Sequence, residues 1–162
     1  MTAIAVTGHM DITPATCDCL RRALRDLLAP YADSGLVGIS CIARGADSVF
    51  ADAVLDAGGG LCVILPCQNY RQTKVKADHA PTFDRLLAAA DDVVIMPHTT
   101  ANREAYAAAN RALLERADRL VAVWDGTPPS GKGGGTADTV EDARRAGLPV
   151  DIVWPDGTKR GQ

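Results

Sequence analysis

The sequence predicts an α/β fold, a doubly wound, mostly parallel six-stranded sheet with helices on both faces. Three observations predict it. Short apolar runs alternate with amphipathic helical segments along the chain, the pattern of repeated βα units. The apolar runs are near-continuous, as strands buried on both faces require. The chain is 47% hydrophobic yet only 4% aromatic. Its core must therefore be built from Ala, Val, Leu and Ile, the residues that pack a sheet between alanine-rich helices.

Each element has its own signal. Thr2 to Thr7 is a first strand ending at Gly8. Pro14 stands in the first turn of a helix capped by Thr13, and Leu20, Leu24, Leu27, Leu28 and Tyr31 follow at helical spacing. Leu36 to Ile42 is a second strand, and Ala46 to Ala57 a helix closed by Gly58-Gly59-Gly60. Leu61 to Leu65 is a third strand, stopped by Pro66, and Cys67 to Asp78 reads as a polar connection. Pro81 to Ala90 is a helix and Asp92 to Met96 a fourth strand, stopped by Pro97. Arg103 to Ala117 is an alanine-rich helix, Leu120 to Trp124 a fifth strand, Thr136 to Ala146 a helix and Val150 to Trp154 a sixth strand. Residues 1–155 are expected to form one domain, and 156–162 a polar tail that frays. Right-handed crossovers lead to an expected strand order near 3-2-1-4-5-6, with a ligand crevice at the C-terminal strand ends where chain order reverses.

Bulk properties exclude several classes. The net charge of −3 argues against nucleic acid and against anionic membranes as partners. No apolar run reaches the ~20 residues needed to cross a bilayer. Met1-Thr2-Ala3-Ile4 lacks the basic start of a signal peptide, so a cytoplasmic location is expected. Five cysteines, with no Cys-x-x-Cys pair, argue against a disulfide framework. His9, His79 and His98 fall in separate segments, and no metal site is expected.

The chemistry is expected in the loops. The most informative runs from Trp124 to Thr136 (WDGTPPSGKGGGT), between the fifth strand and the helix that follows. Glycines let a backbone approach an anion, and the free amides and dipole of a helix start favour negative charge. Lys132, Gly133, Gly134, Gly135 and Thr136 are the candidate phosphate cradle; a plain surface connector is the alternative. In the first loop, Gly8 gives close backbone access, and His9 is either a phosphate or proton-transfer group or a brace. That loop lacks Gly-x-Gly-x-x-Gly, and no acidic residue ends the second strand, which argues against NAD; no cofactor is expected. In the second loop Arg44 and Gly45 precede a helix and suit a phosphate, with Asp47 a cap or a partner of Arg44. The polar loop Pro97 to Asn102 is either a base or sugar contact or a hydrated turn capped by Asn102. In the helix after it, Tyr106, Asn110 and Arg111 are candidates to face the crevice. Asp125 and Asn110 are assigned to the ribose or base.

Three stretches resemble the Rossmann-like SLOG superfamily, which includes the Lonely Guy (LOG) phosphoribohydrolases and the DprA/Smf DNA-processing proteins. Ile39 to Gly60 (ISCIARGADSVFADAVLDAGGG) resembles the S-G-x-A-x-G-x-D segment of DprA. Ala117-Asp118 to Trp124, followed by Gly133-Gly134-Gly135-Thr136, is similar to the P-G-G-x-G-T segment of LOG proteins. Gly147-Leu148-Pro149-Val150 resembles the G-K-P-V that follows in both. The resemblance implies the fold, a nucleotide-type ligand and a homo-oligomer. LOG enzymes carry a glutamate three residues after Gly-Thr, where this chain has Thr139, and an Arg-Lys pair where it has Ala109 and Asn110. Stand-alone SLOG proteins carry an arginine where this chain has Met10. The leading expectation is a binding site for a nucleotide-like small molecule. One alternative is LOG-like hydrolysis of a nucleoside monophosphate, with Asp138 and Glu141 as the catalytic carboxylates; a second is DprA-like DNA processing.

Overall fold

A computed structural model of the chain describes residues 1–131 and 135–161. The strands are β1 (Thr2–Gly8), β2 (Leu36–Ser40), β3 (Gly60–Leu65), β4 (Asp92–Ile95), β5 (Arg119–Val123) and β6 (Val150–Ile152). The helices are α1 (Pro14–Leu28), α2 (Ala46–Asp56), α3 (Tyr70–Lys74), α4 (Ala80–Ala89), α5 (Arg103–Glu115) and α6 (Thr136–Arg145). All strand pairings are parallel, and helices cover both faces, so the expected fold class holds. Thr13 caps α1, accepting from the Thr16 N–H at 3.2 Å, and Leu20, Leu24 and Leu28 are buried on its inner face.

The strand order corrects the expectation: it is β4-β3-β2-β1-β5-β6 rather than 3-2-1-4-5-6. The connection from β3 to β4 carries on outward in the same direction as the first two crossovers. Chain order reverses only after β4, when α5 carries the chain back over the sheet to β5. Hence α1 and α2 pack on one face, against Ile4 and Val6 of β1. α5 and α6 pack on the other, where Ala109, Leu113 and Ala143 meet Ala3, Ala5 and Ile39. A second correction is α3, a short helix inside the stretch expected to be a polar connection; Tyr70 at its start is buried against Phe83.

Two close approaches fix the C-terminal edge of β1. A Cβ at Gly8 would lie 2.4 Å from the Ala46 Cβ and 2.8 Å from the Val123 Cβ. Gly45 has φ of +82° and backs onto the loop after β1, where a Cβ would lie 2.6 Å from the Met10 carbonyl oxygen and 2.7 Å from that of His9. The Ala46 N–H donates to the His9 carbonyl at 3.1 Å, and the His9 N–H to the Val123 carbonyl at 3.1 Å. Ile42, just beyond β2, has φ of +47°, a strained state for a β-branched residue. Its N–H donates to Ser40 Oγ at 3.0 Å, and its carbonyl lies 3.0 Å from His79 Nε2.

The tail also departs from expectation: it does not fray but docks. Its Lys159 N–H donates to Thr16 Oγ1 at 2.8 Å, and Ile12 and Arg160 form an antiparallel bridge.

Gly45→Ala combines a left-handed φ with backbone overlap and is expected to destabilise the fold by about 2 kcal/mol or more, lowering the melting temperature by about 4–8 °C. Thermal denaturation checks it, with Gly58→Ala as control, since nothing lies within 4 Å of a Cβ at Gly58, whose φ is +80°.

Candidate functional site

β1 and β5 are neighbours from which the sheet is wound in opposite directions, and their following loops part at the C-terminal edge. There lies a cavity of about 640 Å³, within the size range of small-molecule sites. The loops after β1 and β5, the start of α6, Asp47 of α2, Tyr70 and Lys74 of α3, and Tyr106 and Asn110 of α5 all contribute to its wall.

The loop after β1 is held by His9. Its buried ring meets Trp154 edge-on, with centroids 5.5 Å apart. His9 Nε2 lies 3.0 Å from Asp125 Oδ1 and 3.2 Å from the Asp125 backbone nitrogen. Partial burial works to raise the Asp125 carboxyl, but hydrogen bonds from the Thr127 hydroxyl, the Thr127 N–H and His9 outweigh it and hold the group down at about 2. The carboxylate is therefore ionised at neutral pH, and it accepts from the Thr127 hydroxyl and N–H while the Asp125 N–H points at His9 Nε2. His9 lines the cavity while bracing the two loops together, and its partner Asp125 is not among the lining residues.

α6 presents its first turn to the same space. Gly135, Thr136, Ala137 and Asp138 line the cavity, and the amides and dipole of a helix start favour an anion there. The Asp138 carboxylate accepts from the Gly135 N–H at 3.2 Å, so this side chain caps its own helix. Glu141, the other expected catalytic carboxylate, is exposed on α6 and does not line the cavity. Lys132, Gly133 and Gly134 lie outside the described residues.

The second loop distributes its side chains differently from the expectation. Arg44 pairs with Asp78, not Asp47, and that partnership holds the Asp78 carboxyl below its usual range. Arg44 lines a separate hollow of about 70 Å³, with Lys76 and His79. Gly45 serves the packing against the first loop. Asp47 faces the cavity instead, accepting from the Ala43 N–H at 3.4 Å. It keeps some contact with solvent, yet burial pushes its carboxyl up to about 7, the Ala43 amide pulling the other way. A cavity-lining acid that titrates near neutrality suits proton transfer or a pH-dependent hydrogen bond. Beside it, burial raises Cys41, Tyr70 and Tyr106 and keeps them protonated.

In α5, Tyr106 and Asn110 reach the cavity, whereas Arg111 lines a groove of about 430 Å³ between α5 and α6. The loop after β4 sits towards the sheet edge, tied to the loop after β3 by the Gln68 N–H donating to His98 O at 2.8 Å. Its Asn102 caps α5, accepting from the Ala105 N–H at 2.8 Å. Sequence reasoning missed Asp47 and Arg160 as cavity residues. The Ala-Arg-Gly-Ala-Asp turn was the only available pointer to Asp47; nothing local points to Arg160. Among the described residues no group of three His, Cys, Asp or Glu side chains is placed to hold a metal ion, and no helix is long and apolar enough to cross a membrane.

No family model matches the chain, and no curated protein sequence does. Solved structures do. DNA processing protein A from Streptococcus pneumoniae superposes with a TM-score of 0.70 at 17% identity, covering 97% of this chain and 52% of that one. The DprA of Helicobacter pylori, whose structure concerns its single-stranded DNA binding mode, gives 0.69 at 15% identity over 99% of this chain and 68% of that one. The molybdenum cofactor carrier protein of Chlamydomonas reinhardtii gives 0.56 at 19% identity over 93% of this chain and 75% of that one. The chain thus spans about half the length of the Streptococcus protein. The fold is a Rossmann-like α/β fold shared with these structures. The expectation that nucleic acid is an unlikely partner is overturned by the likeness to the DprA structures, one of them concerned with single-stranded DNA binding. A net charge of −3 averages over the whole surface and says nothing about one groove.

Asp47 has a pH signature. Its carboxyl is raised in the folded protein, so its contribution to stability is complete at low pH and lost as pH rises from the ordinary carboxylate value to about 7. Asp47→Asn is expected to match the parent near pH 4 and to melt higher than it at pH 8, by on the order of 5 °C. Melting curves across that range check it; a difference independent of pH would contradict it.

Proposed function

We propose that the cavity between the loops after β1 and β5 binds a nucleotide or nucleotide-derived phosphorylated ligand. The observation that carries this reading is one cavity of about 640 Å³ at the point where chain order reverses, with the first turn of α6 in its wall. Ligands of open α/β sheets bind at such points, with anions on helix starts. On this reading the phosphate sits at Gly135 and Thr136, and the base and sugar lie towards Asn110, Tyr106 and Asp47. The molybdenum cofactor carrier, named for a small-molecule cargo, is a supporting likeness. The cysteines are all free thiols, which suits the cytoplasm as the location.

A second reading is single-stranded DNA, favoured by the likeness to DprA. The cavity would then take one nucleotide of a strand. Hydrolysis of a nucleoside monophosphate is a third possibility. For it Asp47, lining the cavity and raised to about 7, is better suited as the proton-transferring acid than Asp138, which caps α6.

A panel of nucleoside mono-, di- and triphosphates and a short single-stranded DNA, followed by melting temperature and by chromatography for free base, separates the three. Stabilisation by intact nucleotide supports the binding site; at 100 times its dissociation constant a ligand adds about 2.7 kcal/mol. Released base moves the assignment to hydrolysis, and a response confined to DNA, weakening steeply with salt, moves it to strand binding.

Gly135→Asp tests the phosphate end. Among the described residues a Cβ at Gly135 meets Asp138 Oδ2 alone, at 3.6 Å, so the substitution adds no close overlap with them, while the new carboxylate repels an anion at the helix start. Nucleotide affinity is expected to fall by at least about tenfold with the melting temperature of the free protein little changed. Unchanged affinity in a folded variant would sink the assignment.

A further inference from the structure

The C-terminal tail is built into the wall of the cavity. Thr16 Oγ1, almost fully buried, donates to the Lys159 carbonyl at 2.9 Å and accepts from the Lys159 N–H at 2.8 Å. The Thr13 N–H also donates to the Lys159 carbonyl, at 3.4 Å, and the Gly161 N–H to the Asp11 carbonyl. Between these anchors Arg160 bridges back to Ile12, and its side chain lines the cavity.

The guanidinium is held between the two loops that define the site. Arg160 Nε donates to Asp11 at 2.9 and 3.1 Å, and Nη1 lies 3.9 Å from Asp125 Oδ2. Among the described residues the Nη groups make no hydrogen bond, and Nη1 has only the 3.9 Å ion pair with Asp125. Lys74 is the only other lysine or arginine among the described residues of the wall. A guanidinium offers two parallel N–H groups to two oxygens of a phosphate.

We propose that Arg160 is a phosphate-contacting residue of this cavity, so that the tail completes the binding site. The inference rests on the nucleotide reading above. Asp11 and Asp125 position the cation on the β1–β5 side, and the ligand phosphate engages its Nη groups while Nε stays on Asp11.

The test is calorimetric titration of the full chain with AMP, GMP, CMP and UMP and with the matching nucleosides, for the parent, Arg160→Gln and Arg160→Lys. The parent is expected to prefer a monophosphate to its nucleoside. Arg160→Gln should lose about tenfold in monophosphate affinity while holding nucleoside affinity within about twofold, and Arg160→Lys should recover part of the loss. An unchanged monophosphate affinity, or equal losses for both ligands, would overturn the role of Arg160 and leave the nucleotide site standing. A parent protein that binds no member of the panel would overturn both. If Arg160→Gln melts too low to titrate, Arg160→Lys, which keeps the charge without the fork, carries the same comparison: equal preference in parent and variant is the overturning result.

Discussion

The structure depends on one close approach, the seating of the β1 C-terminus between α2 and β5. Gly8 brings β1 within contact of Ala46 and Val123 where no side chain fits, and Gly45 lets the loop beyond it lie against the start of α2. The loop is then tied on both sides, by the Ala46 amide and by the Val123 carbonyl. Everything at the cavity follows. His9 is delivered to Asp125, Asp11 to Arg160, and the turn holding Asp47 is set against the same loop. Gly8, expected to give a ligand access to the backbone, lines the cavity as well as seating the strand, whereas Gly45 packs against the first loop.

The cavity mixes charges rather than concentrating one sign. The α6 start, Lys74 and Arg160 bring positive potential to its wall, and Asp11, Asp47 and Asp138 bring carboxyl groups to it. Asp125 illustrates how the charges are managed: its carboxylate is spent on Thr127 and His9 and so rigidifies the wall.

Much of the fold was legible because its signals are local. Apolar runs marked the strands, and Thr13 and Asn102 marked helix starts that the structure confirms as side-chain caps. Strand order was not legible, since a crossover's handedness leaves open how many strands are wound before the chain turns back. α3 was hidden because its five residues, YRQTK, hold a single buried position. At the site, Tyr106, Asn110 and Arg111 were named together from their place in the helix after the fourth strand, and only the first two line the cavity. Asp47 was named in the sequence, but its place depends on the strained turn at Ile42. Arg160 was invisible because its partners Asp11 and Asp125 lie far away in sequence, and a polar tail gives no hint that a buried threonine anchors it.

The position of β1 has a consequence for how the chain is made. Its outer register joins Ile4 to Arg119 and Gly8 to Val123, so one edge of the central strand waits for segments synthesised much later. The first four strands can wind up as they emerge, but they carry an open edge on β1. Ala3, Ala5, Ile39 and Ile64 stay uncovered until α5 returns across the sheet. Non-local pairing of this kind slows folding and leaves nascent intermediates prone to association. Chaperone dependence and losses to aggregation during production should therefore track the interval before the β5 segment arrives, more than the final stability of the protein.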